Sequence, residues 1–452
     1  MLVAGVTLFA AGCLASALGA DHTAGIVLRC AGLALLTAAG VWKRSLTYWM
    51  FAAMVIGLEV GLDWPGVATH VKVLSDIFLR LIKVIVAPLI IGTLITGIAG
   101  HGELGKVGRI GLKSLIYFEV VTTVALLIGV AAINISQAGV GLAIAAPPVE
   151  QVLAPAPMQW DDFVVHVFPD NIVKSVGDNQ ILQVAVFSIL FAIALTRVPE
   201  PVRQPVLRLA ESLTQTMFSL TNLVMYFAPI GVGAAMAYTV GHMGIGVLLP
   251  LGALVLTAYA GLAVFVLGVL VPIAVLARLP LARLVTFMAE PATIAFATST
   301  SEAALPRAME CMEAFGVPRR IVAVVIPAGY SFNLDGSTLY LALASVFVAQ
   351  ASGMHLTWTD QLFMVFVLML TSKGVAGVPR AVLVVLLATA STFHLPTEPI
   401  VVMLGVDALI DMVRTSVNVT GNCLASAVIA RWEGELPEPD VLRRMPSAFN
   451  RS

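Results

Sequence analysis

The chain has 452 residues, 59% of them hydrophobic and 11% charged, with a mean hydropathy of +0.97. Soluble domains carry about 25% charged residues, so an all-α polytopic integral membrane protein is expected. With 25 Lys and Arg against 26 Asp and Glu there is no polybasic surface for nucleic acid.

Cys13, Cys30, Cys311 and Cys423 are scattered without CxxC spacing, and the 7 histidines form no HExxH pair. Neither a disulfide framework nor metal chemistry is expected.

Taken in order, Leu2–Ala20 is hydrophobic from its start with no basic stretch before it, and reads as a membrane helix rather than a cleaved signal peptide. Gly25–Val41 is a second span carrying Arg29, and the Lys43-Arg44 pair after it marks the cytoplasmic side. Tyr48–Leu62 is a third span. Ile77–Ile98 is a fourth, interrupted by Arg80, Lys83 and Pro88, and Leu112–Ile133 is a fifth. Glu119 within the fifth reads as a satisfied interhelical carboxylate, with a proton-titrating group as the alternative. From Asn134 to Val173 there is no Lys or Arg but several acids, which places that loop outside. Ile181–Leu195 is a span, a basic linker (Arg197, Arg203, Arg208) returns inside, and Met217–Val240 and Ile245–Leu276 follow.

After Leu281 the pattern changes. Small and polar runs interrupt the apolar segments: ATSTSEAALP at 297–306, AGYSFNLDGSTLY at 328–340 and SKGVAGVPRA at 372–381. Backbone that breaks at membrane depth is tolerated only where it is buried or lines a cavity, and paired broken segments point to a transporter binding site. The first and third breaks read as re-entrant hairpins. The flanks of Asn333-Leu334-Asp335-Gly336 are too apolar for a solvent turn, so an unwound span is expected there.

The stretch DALIDMVRTSVNVTGN, 407–422, carries the densest polar pattern. At about 100° per residue, Asp407, Asp411, Arg414, Asn418 and Asn422 fall within an arc of roughly 80°, with Thr415 at its edge. Two carboxylates, a guanidinium and two amides on one intramembrane stripe are costly, and a functional role is expected over a self-neutralising salt bridge. Arg414 suits a carboxylate, Asp411 an ammonium and the amides a cation.

Four motifs in order, TSTSEAALP (298–306), NLDGS (333–337), KGVAGVP (373–379) and DMVRTSVNVTGN (411–422), resemble the glutamate transporter and dicarboxylate/amino acid:cation symporter family. The resemblance runs from about Leu46 to Glu435. It implies two re-entrant helical hairpins, inverted repeats and a homotrimer whose transport domain moves like an elevator. By that likeness 1–42 are two extra helices, 43–245 are mainly scaffold (with the third core helix, about 112–133, in the transport domain), 246–435 are the transport domain and 436–452 are a cytoplasmic tail.

The resemblance further implies that Asp411 takes a substrate ammonium and Arg414 its side-chain carboxylate. Thr415 and Asn418 would add hydrogen bonds, while Thr300, Ser301 and Val378 of the two tips would hold the other carboxylate. Ser337 stands where the family usually has Thr. For the coupling cation it implies one site from Gly329, Asn333, Asn418 and Asn422, a second from Asp335, Asn333 and Thr122, and a third near Ser331, Ser372 and Val375. Asn422 replaces an Asp common in sodium-coupled members, and Arg380 and Leu334 are further departures beside the gate. Gly374, Gly377 and Pro379 would let the second tip close.

The expected activity is symport of L-aspartate or L-glutamate with Na+ and/or H+ across the cell (inner) membrane, with no organic cofactor and no covalent chemistry. A solute of net charge −1 beside Asp407, Asp411 and Asp335 needs added cations in low dielectric. A C4-dicarboxylate symporter of the same family is the alternative. An anion channel is a further one, and no Ser/His pair, GxSxG or metal motif supports an enzyme.

Overall fold

The computed structural model describes residues 22–43, 46–100, 106–142, 168–178, 180–372, 381–393 and 395–444, together with 165 and several of the first twelve. Every regular element among them is helical. In chain order these are α1 (His22–Lys43), α2 (Leu46–Asp63), α3 (Pro65–Ala99), α4 (Lys106–Ser136), α5 (Ile172–Gly177), α6 (Ile181–Thr196), α7 (Glu200–Met225) and α8 (Ala228–Met243). Then come α9 (Leu248–Phe265), α10 (Val271–Leu276), α11 (Leu281–Thr298), α12 (Ser301–Phe315), α13 (Arg319–Phe332) and α14 (Asp335–Ala351). The last are α15 (Trp358–Thr371), α16 (Ala381–Thr392), α17 (Glu398–Trp432) and α18 (Pro439–Arg444). Pro65–Ala99, Arg109–Ser136, Ile245–Leu276 and Arg319–Ala351 are long and apolar enough to cross a membrane, which makes this a multi-pass membrane protein.

Prolines explain most departures from the expected spans. Pro65 starts α3 well before Ile77, because proline at the first helical position loses only an N–H that has no partner anyway. The span expected at Met217–Val240 is broken and bent by 50° between α7 and α8, where Pro229 cannot donate to the preceding turn. Between α9 and α10 the ladder loosens into a π-turn at Val266–Leu270, immediately before Pro272.

The chain forms two compact units. The first comprises Met1–Leu81, Asn222–Leu251 and Val401–Ala408, and the second Ile82–Thr221, Gly252–Ile400 and Leu409–Ser452. Inside the first unit α2 lies against α8 at backbone distance: a Cβ on Gly57 would stand 3.1 Å from the Gly233 Cα. Small residues at such a crossing replace side-chain interdigitation by close dispersion contact, the usual means of joining helices in lipid.

The second unit is built around α14. All of its residues except Ser337 and Gln350 are buried, as expected of a helix that is apolar all round. Helices α4, α15 and α16 pack on it, and α13 packs on α4. Helices α11 and α12 pack on each other as a hairpin. Ser299 turns the tip between them at φ 54, and Ser416 Oγ ties the hairpin to α17 by donating to the Ala292 carbonyl at 3.0 Å. Just past α17, Glu433 accepts from Lys113 at 2.6 Å and from Arg109 at 2.5 Å, which holds its carboxyl below the usual carboxylate range. A similar pair joins Arg320 to Glu435.

Candidate functional site

The unwound span expected at 333–334 is there, and it positions the site. Helix α13 stops at Phe332, Asn333 and Leu334 leave helical geometry, and α14 restarts at Asp335, with the whole segment buried. The cause is visible in the sequence. Asn and Asp compete with the helix ladder for backbone groups, and Gly336 admits a neighbouring backbone. A Cβ on Gly336 would stand 3.0 Å from both the Cα and the carbonyl carbon of Arg414, so α14 starts directly against the middle of α17.

Helix α17 is continuous through the polar stripe, as the 100° spacing required. Asn418 acts as a cap in trans for α14. Its Oδ1 accepts from the N–H groups of Gly336 at 2.8 Å and Ser337 at 3.2 Å, and its Nδ2 donates to Ser337 Oγ at 2.9 Å. Two first-turn donors that α14 itself leaves unsatisfied are thereby paired. One turn further on, Asn422 Oδ1 accepts from Asn333 Nδ2 at 3.0 Å. Gly329 gives room to the Asn422 amide, and Gly421 gives room to Asp335 and Asn333. Gly329, Asn333, Asp335 and Asn422 therefore lie together, with Asn333 and Asp335 wholly buried.

In this cluster the Asn333 Oδ1 and Asn422 Nδ2 atoms are buried with no hydrogen-bond partner among the described residues. A buried amide oxygen without a donor costs about 1–3 kcal/mol unless something else satisfies it. A hard cation accepts such an oxygen together with carboxylate and backbone oxygens, so the donor set is of the kind a hard cation takes.

Arg414 and Asp411 face each other one turn before Asn418. Arg414 Nη2 stands 2.7 Å and Nε 2.9 Å from Asp411 Oδ1, with side chains 1% and 4% exposed. Thr415 Oγ1 donates to the same carboxylate oxygen at 3.4 Å. The guanidinium also lies over the Tyr340 ring, 4.9 Å from its centroid, a cation–π contact strengthened by burial. Opposite charges are thus held side by side in a dry place, where a zwitterion bearing a second carboxylate could exchange with both.

Other expected residues are placed less centrally. Thr300 sits at the start of α12, where its hydroxyl bonds to Thr298 Oγ1 at 3.2 Å, and Ser301 beside it is buried. Thr122 is buried on α4 and donates to the Phe118 carbonyl at 2.6 Å. Ser331 lies on the last turn of α13, and Ser372 is buried just past α15. Asp407 is buried on the part of α17 that belongs to the first unit. Glu119 is half-buried. Gly374, Val375, Gly377, Val378, Pro379 and Arg380 lie outside the described residues.

Sequence reasoning gave no separate role to Tyr340, Gly336 or Gly421. Gly336 and Gly421 were legible as glycines within the polar motifs. Tyr340 was not, since an aromatic in an apolar run gives no sign of which helix it faces.

The profile of the Sodium:dicarboxylate symporter family matches residues 46–432. The chain is 39% identical over 406 residues to a proton/sodium-glutamate symport protein of Bacillus caldotenax, covering 88% of this chain and 96% of that one. It is 40% identical over 409 residues to a proton/glutamate-aspartate symporter of Escherichia coli, covering 86% and 93%. A C4-dicarboxylate transport protein of Paraburkholderia phymatum is 40% identical over 394 residues, covering 86% and 92%. With the profile spanning the helices that build the site, and relatives aligned over most of their length, the chain belongs to the sodium:dicarboxylate symporter family.

Proposed function

We propose that the protein is a secondary active symporter of acidic amino acids, L-aspartate or L-glutamate, driven by Na+ and/or H+ across the inner membrane. The observation that carries this reading is the buried Asp411–Arg414 pair, an anion for an ammonium and a fork of donors for a carboxylate within one helical turn. A dicarboxylate without an amino group has no use for Asp411 and leaves its charge without a substrate partner. The relatives named as glutamate or glutamate-aspartate symporters support the same substrate class.

The charge balance supports coupling. Asp335 and Asp411 against Arg414 leave one net negative charge in the buried cluster, and an acidic amino acid adds another. Burying that excess in low dielectric is prohibitive without cations entering alongside it. In this reading Gly329, Asn333, Asn418 and Asn422 hold one cation, Asp335 with Asn333 and Thr122 a second, and Ser331, Ser372 and Val375 border a third. Thr300, Ser301, Ser337, Thr415 and Asn418, with Val378, surround the substrate. The second hairpin closes at Gly374, Gly377 and Pro379, and the transport domain then moves as an elevator within a homotrimer. No bond is made or broken.

The relative named as a C4-dicarboxylate transport protein supports the second reading, a dicarboxylate symporter. The test is uptake of labelled aspartate, glutamate and succinate into proteoliposomes under separately imposed sodium and proton gradients. Gradient-driven accumulation of aspartate or glutamate, outcompeting succinate, is expected. Accumulation of succinate alone would give the second reading, and downhill equilibration without accumulation would make the protein a channel.

A further inference from the structure

The family match begins at residue 46, so α1 lies outside it while α2 lies inside. The two helices are nevertheless joined by a three-charge cluster that mixes the two regions, with Arg29 and Glu59 buried and Asp63 at its open edge. Arg29 of α1 is 5% exposed, and Glu59 of α2 is 7% exposed. The Arg29 guanidinium reaches Asp63 through both Nη atoms at 3.3 Å each, and Nη1 also stands 3.3 Å from Glu59 Oε2. Apolar packing also ties the two helices together: Phe9, Leu36, Ala52 and Val55 form one cluster, and a Cβ on Gly40 would touch the Trp49 ring at 3.2 Å.

We infer that Arg29 is the internal counter-ion that lets α2 carry Glu59 and Asp63, and that α1 is thereby a fixed part of the first unit, registering α2 on α8. Ionised groups within membrane helices are expensive unless paired. Arg29 stands seven residues past the start of α1, about 10 Å along its axis, and Glu59 lies one turn back from the end of α2. Without Arg29 the two carboxylates would repel each other within an apolar helix bundle. With it, one acid's charge is cancelled and the half-exposed Asp63 is held by both Nη atoms of the same guanidinium. Because α2 meets α8 almost backbone to backbone, a shift of α2 is passed on to α8. No residue of this cluster lies in the second unit, where the Asp411–Arg414 pair and the cation residues sit.

The test is charge parity in the full-length protein, read by thermal melting in detergent. Arg29→Gln leaves two acids without a cation and should lower the melting temperature by about 5 °C or more. The neutral triple variant R29Q/E59Q/D63N should recover most of that loss, because nothing charged is left stranded. The double variant E59Q/D63N, which strands Arg29 instead, should also melt below wild type. Wild-type melting of R29Q would overturn the inference, as would a triple variant no more stable than R29Q, which would mean that only the arginine's packing mattered. A second arm rests on the proposed function: in uptake assays R29Q should lower the maximal rate and leave KM for aspartate unchanged. A changed KM with unchanged melting would overturn the assignment to the first unit. If wild type carries no acidic amino acid at all, the melting arm still decides the inference by itself.

Discussion

Substituting Gly336 by alanine tests the geometry on which the whole site rests. The added Cβ would stand 3.0 Å from two backbone atoms of Arg414, nearer than the 3.4 Å at which ordinary contact begins, and no side-chain rotation relieves it. Helices α14 and α17 must therefore separate by roughly half an ångström or more, an overpacking cost of about 1–3 kcal/mol. The same movement stretches the Asn418 bonds to Gly336 at 2.8 Å and Ser337 at 3.2 Å, adding about 1 kcal/mol. Better helix propensity returns up to about 1 kcal/mol, so a net loss of about 1–3 kcal/mol is expected. Gly66, with nothing within 4 Å of its virtual Cβ, is the control: Gly66→Ala should be neutral or slightly stabilising. Thermal melting and aspartate uptake of both variants would be compared with wild type. A Gly336→Ala protein that melts and transports as wild type would refute the close approach of α14 to α17.

Three further outcomes follow from the same geometry. Arg414→Gln and Asp411→Asn should each cost about 3–5 kcal/mol by stranding a buried charge, while the double variant should cost much less than their sum; additive losses in melting would refute a coupled pair. Both single variants and the double should lose aspartate uptake. Asn422→Asp replaces a buried amide donor without a described partner by a carboxylate beside Asn333, and should shift sodium activation of uptake to lower concentration; an unchanged sodium curve would remove Asn422 from the cation site. Glu433 has a carboxyl held low by Arg109 and Lys113, so its contribution to stability is present above its unfolded pKa, near the ordinary 4.5, and is lost as pH falls through the lower folded value. Melting temperature should therefore drop more steeply below about pH 4.5 in wild type than in Glu433→Gln, and parallel acid profiles would contradict this.

Hydropathy and helix periodicity are local properties, so the residues in order are enough to show a helical membrane protein and where most of its spans lie. The stripe from Asp411 to Asn422 and the break at Asn333-Leu334 are legible in the same way. There, polar residues in apolar surroundings signal a cost that only burial together with function offsets. Which stripe residues meet which partners depends on long-range packing: Arg414 with Tyr340, Asn418 with the start of α14, Asn422 with Asn333. Those pairs lie tens of residues apart in sequence, and their approach depends on the missing Cβ atoms of Gly336 and Gly421, a property with no periodicity to read. The same holds for Arg29. In sequence it is a single charge in an apolar helix, and it becomes a counter-ion only when α2 folds back to bring Glu59 and Asp63 within 3.3 Å of its guanidinium.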